Sequence, residues 1–304
     1  MRKVLFKIFF GLTFLSISFS SFSQGCSDAG FCTISSFKPE DGDSTKEVYN
    51  QFKIGMNYGS ADKDITVVGN YFEYNRKFTE KLSADIKLTT LMQSGNDITA
   101  FGVSDIYLNG NYKATENTGV TVGFKIPLTN GNTMKDGLPL PMDYQASLGT
   151  FDLLLGVVQK IEKFKIILAL QQPLTQNSNA FVASQYPMGS PLRNFQTTNN
   201  YKRSGDALLR FSYPFKLGEK FKITPSVLSI YHLGEDQYTN ASDVETNIVG
   251  SEGLTLNLNA YLDYKINEKS ALELSYGSPV ITRDARPDGL TRGFVVNLQY
   301  AYKF

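Results

Sequence analysis

Apolar and polar residues alternate with a period of two along most of the chain after residue 45. In 48–58, Val48, Phe52, Ile54, Met56 and Tyr58 share one phase, and Gln51, Lys53 and Asn57 share the other. In 82–92, Leu82, Ile86, Leu88 and Met92 oppose Asp85 and Lys87. The segments 104–114, 120–126, 207–213 and 254–264 repeat the pattern. So does the end of the chain, where Phe294, Val296, Leu298, Tyr300, Tyr302 and Phe304 oppose Asn297, Gln299 and Lys303. Successive side chains of a strand point to opposite faces, so this periodicity predicts strands with two unlike faces. No window after the first 23 residues shows a convincing helical period.

In each of these segments the apolar phase carries no charge, and the charged residues, acids and bases taken together, all fall on the other phase. A soluble sandwich alternates too, but tolerates a stray charge on its outer face. A barrel wall in lipid does not, because Lys or Arg at mid-bilayer costs about 2–4 kcal/mol. Most segments also reach the ~9–11 residues of a tilted transmembrane strand, against roughly 5–6 for a soluble one. The connectors 75–81, 114–118, 159–163, 214–220 and 266–270 are short and polar. Between them fall longer ones at 93–102, 128–143, 173–203, 233–252 and 278–292, with only 59–64 short on that side. Adding the weaker segments 65–74, 144–158, 164–172, 221–232 and 270–277 gives about twelve strands. The expected fold is all-β: a transmembrane antiparallel up-and-down barrel with short turns and both termini periplasmic. Pro225 interrupts 221–232 and predicts a bulge or register shift there.

Composition sharpens this picture. The 17 Tyr and 22 Phe, with no Trp, suit aromatic girdles at segment ends. Thirty bases against 29 acids exclude an electrostatic footprint for nucleic acid. A mean hydropathy of −0.20 excludes a bundle of membrane helices. One His and two Cys leave little material for a metal or haem site, and no cofactor is expected.

Residues 1–23 have a basic start, an apolar stretch from Ile8 to about Phe19, and Ser21 and Ser23 before Gln24. This is the pattern of a cleaved signal peptide, and it implies export. Residues 24–45 form an N-terminal segment that either stays periplasmic or enters the lumen as a plug. Cys26 and Cys32 lie within it and form a candidate disulfide in an oxidising compartment. Residues 46–304 are the barrel.

The ending FVVNLQYAYKF resembles the C-terminal signature of outer-membrane barrels, which present a last strand with a terminal Phe, here Phe304, to the barrel assembly machinery. Two further pieces, Gly102-Val103-Ser104-Asp105-Ile106-Tyr107-Leu108 and Lys125-Ile126-Pro127-Leu128-Thr129, resemble the outer-membrane family named for the meta-pathway of phenol degradation. That family has a Gly-x-x-Asp strand start and a Lys-x-Pro strand end, though here Leu128 separates the Pro from the Thr. The resemblance implies a channel related to fatty-acid-type porins, embedded among outer-membrane lipids of a Gram-negative-type cell.

The inward phase supplies the candidate lumen residues Asp85, Lys87, Asp105, Lys125, Asp206, Arg210, Lys222, Asp263, Glu273 and Lys303. Their mixed signs fit either a narrow water-filled pore or a closed barrel of internal ion pairs, and twelve strands fall between the filled and open extremes. The expected function is diffusion of a small solute, hydrophobic ones included. The rivals are a closed barrel with functional surface loops and a lipid-acting enzyme. For the enzyme, His232 is the one available base, but Gly234 stands where an outer-membrane phospholipase has its Ser. Glu235 and Asp236 could hold calcium. A TonB-driven transporter needs about 22 strands and a plug domain, which 304 residues do not supply.

Overall fold

The structure, a computed structural model, describes residues 34–39, 49–289 and 293–304. The chain winds up and down through β1 (Tyr49–Ser60), β2 (Thr66–Lys77), β3 (Leu82–Gly95), β4 (Ile98–Lys113), β5 (Thr118–Pro127) and β6 (Asp152–Ile161). It continues through β7 (Phe164–Pro173), β8 (Asp206–Ser212), β9 (Phe221–His232), β10 (Gly253–Lys265), β11 (Ser270–Ile281) and β12 (Phe294–Lys303). Every strand pairs antiparallel with its sequence neighbours, and β12 pairs back onto β1 from Gln51↔Lys303 to Ser60↔Phe294. The seam runs to the last residue, where Asn50 and Phe304 exchange backbone bonds of 3.0 and 2.9 Å. Closure leaves no sheet edge, which a barrel in hydrocarbon requires.

The uncharged phase faces outward. Ile54, Met56, Phe72, Val122, Leu168 and Leu298 are exposed, and they belong to one apolar band around the ring. Such a band far exceeds the patches soluble proteins display, and lipid is its matching solvent. Among the described residues no helix is long and apolar enough to cross a membrane.

Three expectations need correction. Pro225 causes neither bulge nor shift: it stays opposite Ala260 in an unbroken register. The effect appears on its other side, where the β8 ladder lapses over Tyr213-Pro214 and resumes in the same register at Phe215–Leu217. Pro225 has no N–H to give Tyr213, while its own carbonyl still accepts from the Tyr213 N–H at 3.2 Å. Secondly, 93–102 is not a long loop. β3 and β4 run on to a two-residue turn at Asn96-Asp97, whose φ of 52° and 59° match the left-handed pair of a type I′ hairpin. Thirdly, the strand expected over 144–158 begins only at Asp152. Residues 142–144 are a 3₁₀ turn, and 145–150 tuck inside the long-loop mouth. The true irregularities are shifts between Leu88 and Thr90 of β3 and between Leu256 and Asn257 of β10. The first swaps the phase of β4, so Ile98 and Ala100 face inward above it, and Tyr107 and Asn109 below.

The segments 1–23 and Cys26 and Cys32 lie outside the described residues; of 24–45, only 34–39 are described.

A plugged lumen as the candidate functional site

The inner wall is divided. At mid-height β1–β3 and β11 carry charge there, while β6–β9 carry an apolar patch set among polar inward positions such as Asp152, Arg210 and Ser226. Lys53 from β1 and Lys87 from β3 flank the Glu73 carboxylate of β2 at 3.4 and 3.1 Å, all three being buried. Asp85 accepts bonds from the side-chain amides of Asn109 (2.6 Å) and Asn111 (3.1 Å). On the opposite side Leu154, Ile167, Leu208, Leu228 and Ile230, with Tyr107, form an apolar cluster inside the barrel.

Residues 34–39 lie across this division. Ile34 and Phe37, both fully buried, complete the apolar cluster. Ser35 donates to both Glu73 oxygens at 2.8 Å, and Lys38 reaches Glu273 at 3.7 Å. Gly156 of β6 makes room: a Cβ there would sit 2.1 Å from the Phe37 ring. Residues 34–39 are therefore seated inside the barrel by shape on one wall and by charge on the other. Below it, Ser35 and Ser36 floor a chamber of about 360 Å³ that opens at the short-turn end.

The candidate lumen residues are all on inward positions, and each has a partner. Lys125 meets Asp152 (3.0 Å) and Thr150 (2.9 Å). Asp105 accepts from Ser104 (2.8 Å) and from Ser147 (2.6 Å) of the tucked loop. Arg210 donates to the Tyr261 hydroxyl at 2.6 Å. Lys222 and Asp263 face each other across the β9–β10 ladder at 3.3 Å, half-buried near the short turns. Glu273 holds the plug through Lys38, and Lys303 lines the lower chamber over the Tyr49 ring.

Asp206 belongs to a further cluster beneath the long loops. His232, 1% exposed, places Nδ1 2.6 Å from Asp206 and Nε2 2.8 Å from Asp236. Asp236 also accepts from Tyr201 (2.7 Å) and the Ser204 N–H (2.9 Å). Arg203 reaches Asp206 at 2.6 Å and Asp288 at 3.7 Å, and Arg283 reaches Asp288 at 3.1 Å. This knot ties the loops 174–205 and 233–252 and residues 282–289 to the tops of β8 and β9. Asp236 is committed to these donors, so it is not the calcium ligand the sequence offered. Among the described residues no group of His, Cys, Asp and Glu has metal-binding geometry.

Sequence reasoning missed Lys53, Glu73, Asp152 and Arg203. Glu73 and Lys53 are readable as inward once β2 is paired with β1, since Lys53↔Glu73 are direct neighbours. Arg203 sits in a loop, where no periodicity marks a facing.

No family model matches the sequence, and neither does any curated protein. Among solved structures the chain is similar to the translocator domain of autotransporter NalP from Neisseria meningitidis, with a TM-score of 0.52, 9% identity, and coverage of 90% of this chain and 93% of that one. It also matches the CymD monoaromatic hydrocarbon channel (TM-score 0.43, 9% identity, 84% and 88% covered). A Pseudomonas aeruginosa FadL homologue matches as well (TM-score 0.41, 9% identity, 84% and 90% covered). At 9% identity the likeness to the translocator domain is one of fold, and it agrees with the closed ring. The chain is a twelve-stranded antiparallel β-barrel of the outer-membrane type.

Proposed function

We propose that the protein is an outer-membrane channel passing a small apolar solute by diffusion, closed at rest by its own residues 34–39. The observation that carries this reading is the apolar patch of Leu154, Ile167, Leu208, Leu228 and Ile230 on β6–β9 behind Ile34 and Phe37. A barrel built only for stability can fill its lumen with ion pairs. An apolar strip covered by a short separate segment offers a solute track once that segment moves aside. In this reading 1–23 exports the chain, Cys26 and Cys32 close a small disulfide loop, and both chain ends and the short turns are periplasmic. The last strand, ending at Phe304, engages the assembly machinery. Inward charges and long loops set selectivity.

The protein is read as a non-enzyme. Both His232 nitrogens face carboxylates, which leaves no lone pair for a nucleophile. The second reading, a closed barrel with working surface loops, draws on the ion pairs around Glu73 and Asp152.

Entry of N-phenylnaphthylamine, an apolar fluorescent probe, into cells producing the protein decides between them. The channel reading expects faster entry than in cells without the protein, and a further increase when Ile34→Ala and Phe37→Ala are combined with Asp236→Ala, which frees the loops. Equal entry in all three, with the barrel folded in the membrane, supports the closed barrel and overturns the channel.

A further inference from the structure

The two ends of the barrel differ in charge. At the short-turn end, Arg76 and Lys81 accompany Glu80, Lys163 accompanies Glu162, Lys216 and Lys220 accompany Glu219, and Lys269 accompanies Glu268. All are exposed. Lys113–Glu116 and Lys265–Glu268 pair at 2.7 Å on the same rim. The long-loop end has the opposite balance on its exposed surface, where Asp64, Asp97, Asp136, Asp243, Glu245, Glu252 and Asp284 outnumber Lys63, Lys135, Arg193 and Lys202.

The basic rim also has an apolar counterpart. Phe78, Phe164, Phe215, Phe221 and Phe304 are exposed at 45–58% and point outward at this level. Arg76 lies over the Phe78 ring, 5.6 Å from its centroid. Long basic side chains bury their stems along apolar surface and hold their charge at the polar boundary. A ring of rings and ammoniums at one height therefore marks a membrane boundary with negative headgroups above it.

The geometry points to the short-turn rim as a binding surface for the phosphate headgroups of anionic phospholipid. The fit is one of charge: the surplus of bases repels cations and draws phosphodiesters within a Debye length. The outward Phe residues fix the depth, so the ammoniums lie at headgroup level and not in bulk water. This rests on the barrel lying in a membrane and is independent of what passes through it. It also orients the chain, because the short-turn end, and with it Tyr49 and Phe304, must face the leaflet richer in anionic phospholipid.

The test is electron spin resonance of the refolded protein in phosphatidylcholine membranes, with spin-labelled phosphatidylglycerol or phosphatidylcholine as probe. Phosphatidylglycerol should associate with the barrel surface roughly fivefold more strongly, the ratio that one basic residue at an anionic surface supplies. The triple change Lys163→Glu, Lys216→Glu and Lys220→Glu should bring the ratio to about one, and single Lys163→Gln should lower it partly. Asp136→Lys with Asp243→Lys, at the other end, should leave it unchanged. Equal association in the wild type overturns the proposal, as does a ratio that follows the loop-end changes instead. Loss of the preference in inorganic phosphate, but not in chloride of equal ionic strength, would also overturn it, identifying a free-phosphate site. Retained solute entry in the triple variant would separate this surface from the channel.

Discussion

Glu73 holds two buried ammoniums, Lys53 at 3.4 Å and Lys87 at 3.1 Å, while Lys87 also sits 3.8 Å above the Tyr71 ring. Removing one charge from such a group leaves the others buried and uncompensated, at about 3–5 kcal/mol. Glu73→Gln should therefore lower the urea midpoint of the lipid-embedded barrel sharply. Lys87→Met should cost less, because Glu73 keeps Lys53 and Ser35. Equal midpoints for Glu73→Gln and the wild type would show that the lysines find other anions. Gly156 gives a second test. Its missing side chain admits the Phe37 ring, and adding volume in packed interiors costs about 1–3 kcal/mol. Gly156→Val should unseat the plug while leaving the wall intact. Hydrogen exchange at the Phe37 and Lys38 amides, which bond to Ile34 and Ser35 carbonyls, should then accelerate while β6 stays protected.

Strands were readable where one face meets lipid, because the penalty on charge there imposes alternation. Hence β1, β3, β5, β10 and β12 follow directly from the pattern of residues. The same logic fails where the polypeptide leaves the bilayer. The β3–β4 hairpin tip carries Asn96-Asp97, a good type I′ signal, yet the polar run around it resembles a loop. Residues 144–151 alternate weakly but belong to a loop folded inside the mouth, where Gln145 and Ser147 are buried by bonding to Leu140, Gln93 and Asp105. Nothing local distinguishes that burial from a strand face. The lumen candidates were legible as inward, and a plug was one of two readings of 24–45, but its seat was not legible, since no period links Phe37 to Gly156. This loop also carries Asp143, whose backbone packs on Gly289 of the last loop. Burial pushes its carboxyl up to about 7, and Asp62 and Asp288 add to the rise. An unfolded Asp titrates near ~3.9, so the packed loop favours the neutral acid. That contribution is full below pH ~4 and is lost as pH rises to about 7. Intrinsic-rate-corrected hydrogen exchange over 140–150 should therefore increase from pH 5 to 8, and Asp143→Asn should flatten the dependence. A loop equally protected at both pH values in the wild type would refute the coupling.

At the scale of the whole barrel, two closures stand in series. The plug fills the middle of the lumen, and the knot of His232, Asp206, Asp236, Arg203 and Asp288 pins the loops over the long-loop mouth. Both ring nitrogens of His232 meet carboxylates, and each loop depends on polar groups contributed by another. Resistances in series set a clear expectation for planar bilayers. A chain lacking 34–39 should pass little steady current, because the long-loop mouth remains shut. Asp236→Ala should pass little as well, because the plug remains. The combination should give discrete, long-lived steps. Asp236→Asn, which keeps the volume, should give the same result in the combined chain if charge rather than packing holds the loops. On that open background Lys87→Glu and Arg210→Glu should move selectivity towards cations, since both side chains then face water in the lumen. Steady steps from the plug deletion alone would show that the loops do not close the mouth. Silence from the folded combined chain would mean that the ion pairs along the wall, and neither closure, fill the barrel.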